Sequence, residues 1–254
     1  MLRPHRNRLR GLLGAGLALL VTASACGNDT SADRLTVAVA ASLEPTFATI
    51  ARDFSRAHPG ITIVLEPGSS TALAARVADG APFAVLAGAD AAEIEALGPA
   101  RSGPVTVFAT NRLAIAVPPG NPEQVRNLAD LARLSVIALC DVAAPCGRYA
   151  DAALAAAGVT VPESHITRAP DAAATLRAVT RGDADAAVVY VTDVEAAGDA
   201  ATAISIPAAE NRVARYGIAV LDRAPDPALA REFVAAVTGQ PGRLRLRAAG
   251  FGPP

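Results

Sequence analysis

Residues 35–47, LTVAVAASLEPTF, carry the strongest fold signal in the chain. The run Leu35–Ala40 is almost wholly apolar and contains two valines, which predicts a strand buried on both faces of a parallel sheet. Apolar residues then recur at helical spacing as far as Phe54, which predicts a helix packed on that sheet. Ser42 lies at the junction, where a helix N-terminus meets the carboxyl end of a strand, and this is where α/β proteins bind ligands.

Strand and helix patterns alternate from this segment to the end of the chain, which predicts an α/β fold. Two short strands are predicted at Val105–Ala109 and Leu113–Val117, separated by three polar residues, and a helix is predicted at Val125–Ala132. The Pro/Gly-rich stretch 118–122 predicts a crossover into a second lobe. We therefore expect two lobes, each a mainly parallel sheet flanked by helices, with a ligand cleft between them.

The N-terminus has the layout of an export signal. Four arginines precede the apolar run Gly11–Val21, whose 11 residues are too few for a membrane-spanning helix of about 20. Small residues then lead directly to Cys26, as in a bacterial lipoprotein signal. We expect residues 1–25 to be a signal peptide, Cys26 to be the lipidated first residue, and 26–33 to be a tether; the alternative is cleavage near the same point with an unmodified Cys26.

Composition and motifs exclude several function classes. The formal net charge is −1 and no basic patch stands out, so nucleic acid is not an expected partner. The sequence lacks the G-x-S-x-G, P-loop, G-x-G-x-x-G and H-E-x-x-H signatures of common enzymes. We expect a binding protein that is not an enzyme and has no cofactor.

The cysteines add a constraint. If Cys26 is lipidated, Cys140 and Cys146 remain as a pair within one short loop, in an oxidising compartment. A disulfide closing this loop would stabilise the fold by roughly 2 kcal/mol. The alternatives are two free thiols or a metal-binding pair, and no histidine lies nearby to complete a metal site.

Small polar residues or tight turns recur where helices begin. They occur at four places, which are Ser42, Ser69–Ser70, Cys146–Gly147 and Asp171–Ala172, and Tyr190 adds a hydroxyl at a strand end. Each alone fits an ordinary helix cap or turn. Together, facing one cleft, they would offer hydroxyls and backbone N–H groups as donors, which suits an oxyanion that carries no proton.

Six segments carry a resemblance to a known family. They are AASLEPTF (40–47), GSSTALAARVADGAP (68–82), NRLAIAVPPGNP (111–122), LCDVAAPCGRYADAAL (139–154), GDADAAVVYVTDV (182–194) and GQPGRLRLRAAGFGPP (239–254). In this order the chain resembles the molybdate-binding periplasmic proteins of ABC transporters. The resemblance implies a type II periplasmic-binding-protein fold, with residues 34–114 plus 212–254 in lobe 1 and residues 115–211 in lobe 2.

The resemblance also implies which groups hold the anion. These are the hydroxyls of Ser42, Ser70 and Tyr190 and the backbone N–H groups of Cys146 and Ala172. The metal of the oxyanion would have no direct protein ligand.

By the same resemblance, the protein would capture molybdate or tungstate and deliver it to the membrane subunits of an ABC permease. It would act as a monomer, anchored by lipid at the outer face of the cytoplasmic membrane. The alternative is another tetrahedral oxyanion, such as sulfate. Ala84 departs from the family pattern, which has Asp there, and we expect this to alter packing behind the site. Arg148, beside the proposed site, is expected to point to solvent, with a charged contact to the anion as the alternative.

Overall fold

A computed structural model of the protein describes residues 34–254. The predicted signal peptide, Cys26 and tether lie outside these residues. No helix within 34–254 is long and apolar enough to cross a membrane. The nine strands of this part of the chain are β1 (Arg34–Ala40), β2 (Thr62–Gly68), β3 (Val85–Gly88), β4 (Thr106–Val117), β5 (Ile137–Cys140), β6 (Ile166–Ala169), β7 (Ala186–Tyr190), β8 (Thr202–Ser205) and β9 (Val213–Val220). The helices are α1 (Glu44–Ala57), α2 (Ser70–Ala78), α3 (Ala91–Glu95), α4 (Pro145–Ala156), α5 (Ala172–Thr180), α6 (Val191–Ala197), α7 (Pro227–Thr238) and α8 (Gln240–Ala248).

All nine strands belong to one continuous sheet. The strand order is β2-β1-β3-β9-β4-β7-β5-β6, and β8 also pairs with β4. Two sets of three parallel strands, β2-β1-β3 and β7-β5-β6, are joined through the antiparallel strands β9 and β4. The α/β class is confirmed, and the sheet is mixed because its two parallel sets meet through antiparallel strands.

Strand β4 connects the two sets. Its residues 106–112 pair with β9, and its residues 113–117 pair with β7 and β8. The prediction of two strands separated by three polar residues is wrong here, because one twelve-residue strand runs through those residues. Asn111, at the centre of that polar stretch, is buried and hydrogen-bonded, so it can continue a strand instead of breaking it.

Three smaller differences concern the second parallel set. The segment predicted as a helix at Val125–Ala132 is instead a short 3-10 helix at Leu128–Arg133. Strand β6 and helix α6 have no counterpart in the sequence prediction. Strand β6 has only four residues, and their burial does not alternate strictly. The sequence there therefore shows no two-residue hydrophobic period that would predict a strand.

The core explains why the strand ends are held firmly. Helix α1, which packs on β1 and β2, contacts α7 through aromatic rings: the ring of Phe233 lies 5.4 Å from that of Phe54 and 6.2 Å from that of Phe47, both edge-on. Edge-to-face pairs of this kind add to the burial of apolar area. The buried cluster that contains them extends to Leu128 and Ile137 beside the second set. The carboxyl ends of both parallel sets are therefore fixed by one core.

Candidate functional site

Strand ends from both parallel sets meet around one small cavity. The space inside it that is open to the centre of a water-sized sphere is about 20 Å³, which is room for a small ligand. The five predicted site residues all line it. The full lining is Ala40, Ala41, Ser42, Gly68, Ser69, Ser70, Ala89, Ala144, Pro145, Cys146, Asp171, Ala172 and Tyr190.

Ser42 reaches the cavity from a short 3-10 helix, Ala41–Leu43, between β1 and α1. The sequence suggested an ordinary helix cap, but its side chain caps neither helix. Its hydroxyl is buried and lies 2.8 Å from the hydroxyl of Tyr216 on β9. Ser42 is therefore held from behind by a tyrosine that is distant in sequence.

Ser70 is the first residue of α2, directly after β2. Its Oγ accepts a hydrogen bond of 2.9 Å from the backbone N–H of Ala89, which follows β3. A backbone N–H can only donate, so the hydroxyl proton of Ser70 remains available for another acceptor. Ser70 is 3% exposed, so that acceptor has to lie inside the cavity.

Cys146 lies in the first turn of α4 and is bonded to Cys140, at the end of β5, by a disulfide. The predicted disulfide is confirmed, and the free-thiol and metal alternatives are excluded. The bond folds the intervening loop back on itself. The N–H groups in the first turn of a helix have no acceptor within the helix, so the loop presents the backbone N–H of Cys146 at the cavity.

Ala172 begins α5 after β6. Asp171 caps this helix as predicted, because its side chain accepts a 2.8 Å hydrogen bond from the backbone N–H of Ala174. The N–H of Ala172 itself precedes the capped position and lines the cavity. Its side chain is only a methyl group and leaves the approach to the backbone open.

Tyr190 ends β7 and directly precedes α6. Its hydroxyl is buried and has no hydrogen-bond partner in the described part of the chain. Burial raises the pKa of this hydroxyl well above its ordinary value, and the neighbouring Tyr216 raises it further. The group therefore keeps its proton and is a donor without an acceptor, inside a cavity.

The electrostatics of the cavity favour an anion held without a formal positive charge. No Lys, Arg or His lines it, but α2, α4 and α5 all begin at it. The partial positive charge of helix N-termini and their free N–H groups stabilise anions. Within residues 34–254 no group of three or more His, Cys, Asp or Glu residues could hold a bare metal ion. The arrangement can therefore bind an oxyanion through its oxygens.

Arg148, one turn into α4, contacts two acidic residues of the other parallel set. Its guanidinium lies 3.0 Å from a carboxylate oxygen of Asp90 and 2.7 Å from one of Glu93. Its side chain is 40% exposed, in keeping with the expectation that it points to solvent, but it is also ion-paired. It is not among the residues that line the cavity. Thr71, on α2, donates to Glu93 and approaches the carbonyl oxygen of Ala143, each at 2.7 Å. We call these five residues the polar clasp, because they join the two parallel sets beside the cavity.

Ala84, which replaces the family Asp, is fully buried just before β3. Its backbone N–H donates to Thr36 and its carbonyl oxygen accepts from Leu221. It packs in the core and does not line the cavity. The expected effect on packing behind the site stays a prediction.

Sequence reasoning missed Tyr216, Asn111 and Asp193. Tyr216 lies on a strand whose apolar pattern gave it no special position, and Asn111 lies in the polar stretch that predicted a break between two strands. Asp193 is buried behind the site in α6, and its Oδ2 accepts a 3.0 Å hydrogen bond from the backbone N–H of Tyr190. The only sequence signal was its position three residues after Tyr190, which fits an acidic residue in the first turn of a helix.

Asp193 is expected to make stability depend on pH. Burial raises the pKa of this carboxyl from 3.8 to about 7, although the Tyr190 hydrogen bond opposes the shift and the charge of Asp171 reinforces it. Between these two values the folded protein holds a proton that the unfolded chain releases. The free energy of unfolding should therefore fall by about 2–4 kcal/mol as the pH rises from 4 to 8. Urea titrations across this range measure it.

Asp193→Asn is the matched control for this pH dependence, because its amide oxygen can still accept from the Tyr190 N–H. The variant should lose most of the slope between pH 5 and 8. A slope as steep as that of the unaltered protein would contradict the role assigned to Asp193.

Reduction of the disulfide is expected to lower the stability of the fold. The free energy of unfolding should fall by about 2 kcal/mol, because the unfolded chain regains the freedom of the loop between Cys140 and Cys146. Thermal unfolding with and without a phosphine reductant measures the change. A Cys140→Ala/Cys146→Ala variant is the control and should not respond to the reductant. An unchanged midpoint in the unaltered protein would show that the bond contributes nothing.

Comparisons with known proteins agree with this architecture. Residues 35–252 match the family model for bacterial extracellular solute-binding proteins. The molybdate-binding protein ModA of Mycobacterium tuberculosis is 36% identical over 235 residues, which cover 91% of this chain and 89% of the relative.

Among solved structures, the periplasmic molybdate-binding protein of Azotobacter vinelandii matches with a TM-score of 0.76 at 23% identity. The match covers 87% of this chain and 99% of that protein. The sulfate-binding protein SubI of Mycobacterium tuberculosis has a TM-score of 0.74 at 17% identity, with 87% and 86% covered. The predicted periplasmic-binding-protein fold is thereby confirmed, and the family match over nearly all the described residues places this chain among the bacterial extracellular solute-binding proteins.

Proposed function

We propose that the protein captures a tetrahedral oxyanion, molybdate before others, in the cavity lined by Ser42, Ser70, Cys146, Ala172 and Tyr190. The observation that carries the proposal is the buried hydroxyl of Tyr190, which has a proton to donate and no acceptor among residues 34–254. Such a group costs free energy unless a ligand accepts from it. An oxyanion in the cavity would accept from this hydroxyl and from the four other donors at once.

The choice of molybdate rests on relatives. Three mycobacterial relatives at 36% identity, and one from Haemophilus influenzae at 25% over 253 residues, carry the name molybdate-binding protein. Tungstate has the same charge and nearly the same size, so we include it as a ligand. Sulfate is the second candidate, favoured by the likeness to SubI, and its smaller size would leave donors of this cavity at longer distances.

We further propose that the two parallel sets are lobes that move against each other. Lobe 1 would comprise residues 34–114 and 212–254, and lobe 2 residues 115–211. Strands β4 and β9 are the hinge region, because they carry the sheet from one set to the other. Closure would bury the anion and bring Arg148 against Asp90 and Glu93, so the polar clasp forms only in the closed state.

As to its location, we propose that the protein is exported and held at the membrane surface by a lipid on Cys26. It would act as a monomer and deliver its anion, chemically unchanged, to the membrane subunits of an ABC permease. Mass spectrometry of the protein extracted from membranes tests the anchor, because an acylated Cys26 would be the first residue of the mature chain.

Calorimetric titration of the mature protein with molybdate, tungstate, sulfate and phosphate tests the ligand. We expect binding with a dissociation constant in the micromolar range or below for the first two, and much weaker binding for the others. Sulfate as the preferred ligand would replace molybdate in the proposal. No binding of any of the four would overturn it.

A further inference from the structure

The two serines of the cavity are both hydrogen-bonded from behind, but in different ways. The hydroxyl oxygen of Ser70 accepts a hydrogen bond from the backbone N–H of Ala89. Ser42 is instead paired with the hydroxyl of Tyr216, and in that pair either oxygen could be the donor. The direction of this one hydrogen bond decides whether Ser42 has a proton or a lone pair to offer to a ligand.

The surroundings of Tyr216 fix that direction. The side-chain oxygen of Asn111 accepts a 2.9 Å hydrogen bond from the backbone N–H of Arg112, which can only donate. Its amide nitrogen must then face the other way, where it lies 2.8 Å from Thr192 Oγ1 and 3.4 Å from Tyr216 Oη. The amide nitrogen carries two protons, so it donates one to each hydroxyl.

Tyr216 therefore accepts from Asn111 and has one proton left. Its only other hydrogen-bond partner in the described part of the chain is Ser42 Oγ, and Tyr216 is fully buried. If Ser42 donated to Tyr216 instead, the tyrosine proton would be buried without an acceptor, at the cost of an unmade hydrogen bond. The favoured order runs from Asn111 to Tyr216 to Ser42, and it leaves the proton of Ser42 for the cavity.

We infer that Tyr216, oriented by Asn111, is a positioning residue that commits Ser42 to donation and so makes the site reject oxyanions that carry a proton. The inference rests on the proposed oxyanion function and deepens it. With Ser42, Ser70 and Tyr190 all presenting protons, a protonated oxyanion would bring one more proton and find no acceptor among these hydroxyls. The carboxylate of Asp171 also lines the cavity, but it already accepts from the backbone N–H of Ala174 as the cap of α5. An unprotonated dianion of the same charge satisfies every donor.

Selenate and hydrogenarsenate give the direct test, because at pH 8 they are tetrahedral dianions of similar size and only the second carries a proton. Each is titrated in competition with bound molybdate. The unaltered protein should prefer selenate by at least about tenfold, since the unmatched proton of hydrogenarsenate leaves a buried hydrogen bond unmade. Equal affinities would overturn the inference even if molybdate binds well. Failure of molybdate itself to bind would count against the proposed function instead.

Tyr216→Phe removes the hydroxyl that donates a hydrogen bond to Ser42, and the serine oxygen is then free to accept a hydrogen bond from a ligand. We expect molybdate to bind about fivefold more weakly. The preference for selenate over hydrogenarsenate should also shrink by at least about fivefold, because Ser42 can now accept the one hydrogen bond that hydrogenarsenate offers. Tyr149→Phe is the control, since it removes a tyrosine hydroxyl outside this network, and it should leave the preference unchanged. A purely structural role for Tyr216 would weaken all anions equally, and that result would overturn the inference.

Asn111→Asp tests the direction of the hydrogen bonds that run from Asn111 through Tyr216 to Ser42. This test does not depend on how well the Tyr216→Phe variant folds. Its carboxylate accepts from Tyr216, so the tyrosine would accept from Ser42 and the proton of Ser42 would be withdrawn from the cavity. Molybdate affinity should then fall by at least about tenfold, as in Ser42→Ala, and combining the two changes should add little. An affinity equal to that of the unaltered protein, or a fully additive loss in the double variant, would overturn the proposed order.

Discussion

Ser70→Ala should weaken molybdate binding by about 1–3 kcal/mol and should also destabilise the anion-free protein by a similar amount. The hydroxyl has two roles, since its proton faces the cavity and its oxygen accepts from the N–H of Ala89. Removing it withdraws one donor from the anion and leaves a buried backbone N–H without a partner. Calorimetry measures the first effect and urea unfolding without anion measures the second.

Tyr190→Phe is the matched comparison, because the hydroxyl it removes has no partner in the described protein. We expect a similar loss of affinity, about 1–3 kcal/mol, with no loss of stability in the absence of anion. The two variants together separate a donor that also supports the fold from a donor that serves only the ligand. Affinity unchanged in both variants would mean that the anion binds elsewhere.

Gly147→Ala should be still more damaging, because a Cβ on this residue would lie 2.0 Å from the carbonyl oxygen of Asp141 and 2.9 Å from that of Cys140. The neighbouring disulfide brings the loop this close, so the backbone has no room to move away. We expect a loss of about 3 kcal/mol of unfolding free energy. The anion affinity should also fall, because the N–H of Cys146 is displaced.

Gly68→Ala is the control for stability, since it makes the same chemical change at a glycine that lines the cavity. Its Cβ would meet only the side chain of Leu73, at 3.6 Å, which is an ordinary contact. Thermal unfolding of both variants should show a large drop for Gly147→Ala alone. Equal midpoints would indicate that the 140–147 loop yields to the extra methyl group.

Much of the site could be predicted from the sequence because its parts are local. Ser42 and Ser70 each lie where a predicted strand gives way to a helix within a few residues, and Ala172 directly follows the helix cap Asp171. These patterns can be read from short windows. Cys140 and Cys146 are separated by six positions, so their pairing was also a local matter. The role of these residues as anion donors stays a prediction until binding is measured.

The sequence by itself determined the α/β class, most of the strands and helices and the polar residues at the strand ends. The tertiary structure decided which way those polar groups point. Tyr216 is 174 residues from Ser42, and Asn111 is 105 residues from Tyr216, so no window of sequence contains their hydrogen bonds. A hydroxyl is donor and acceptor at once, and only its partners in the folded chain fix which of the two it offers to a ligand.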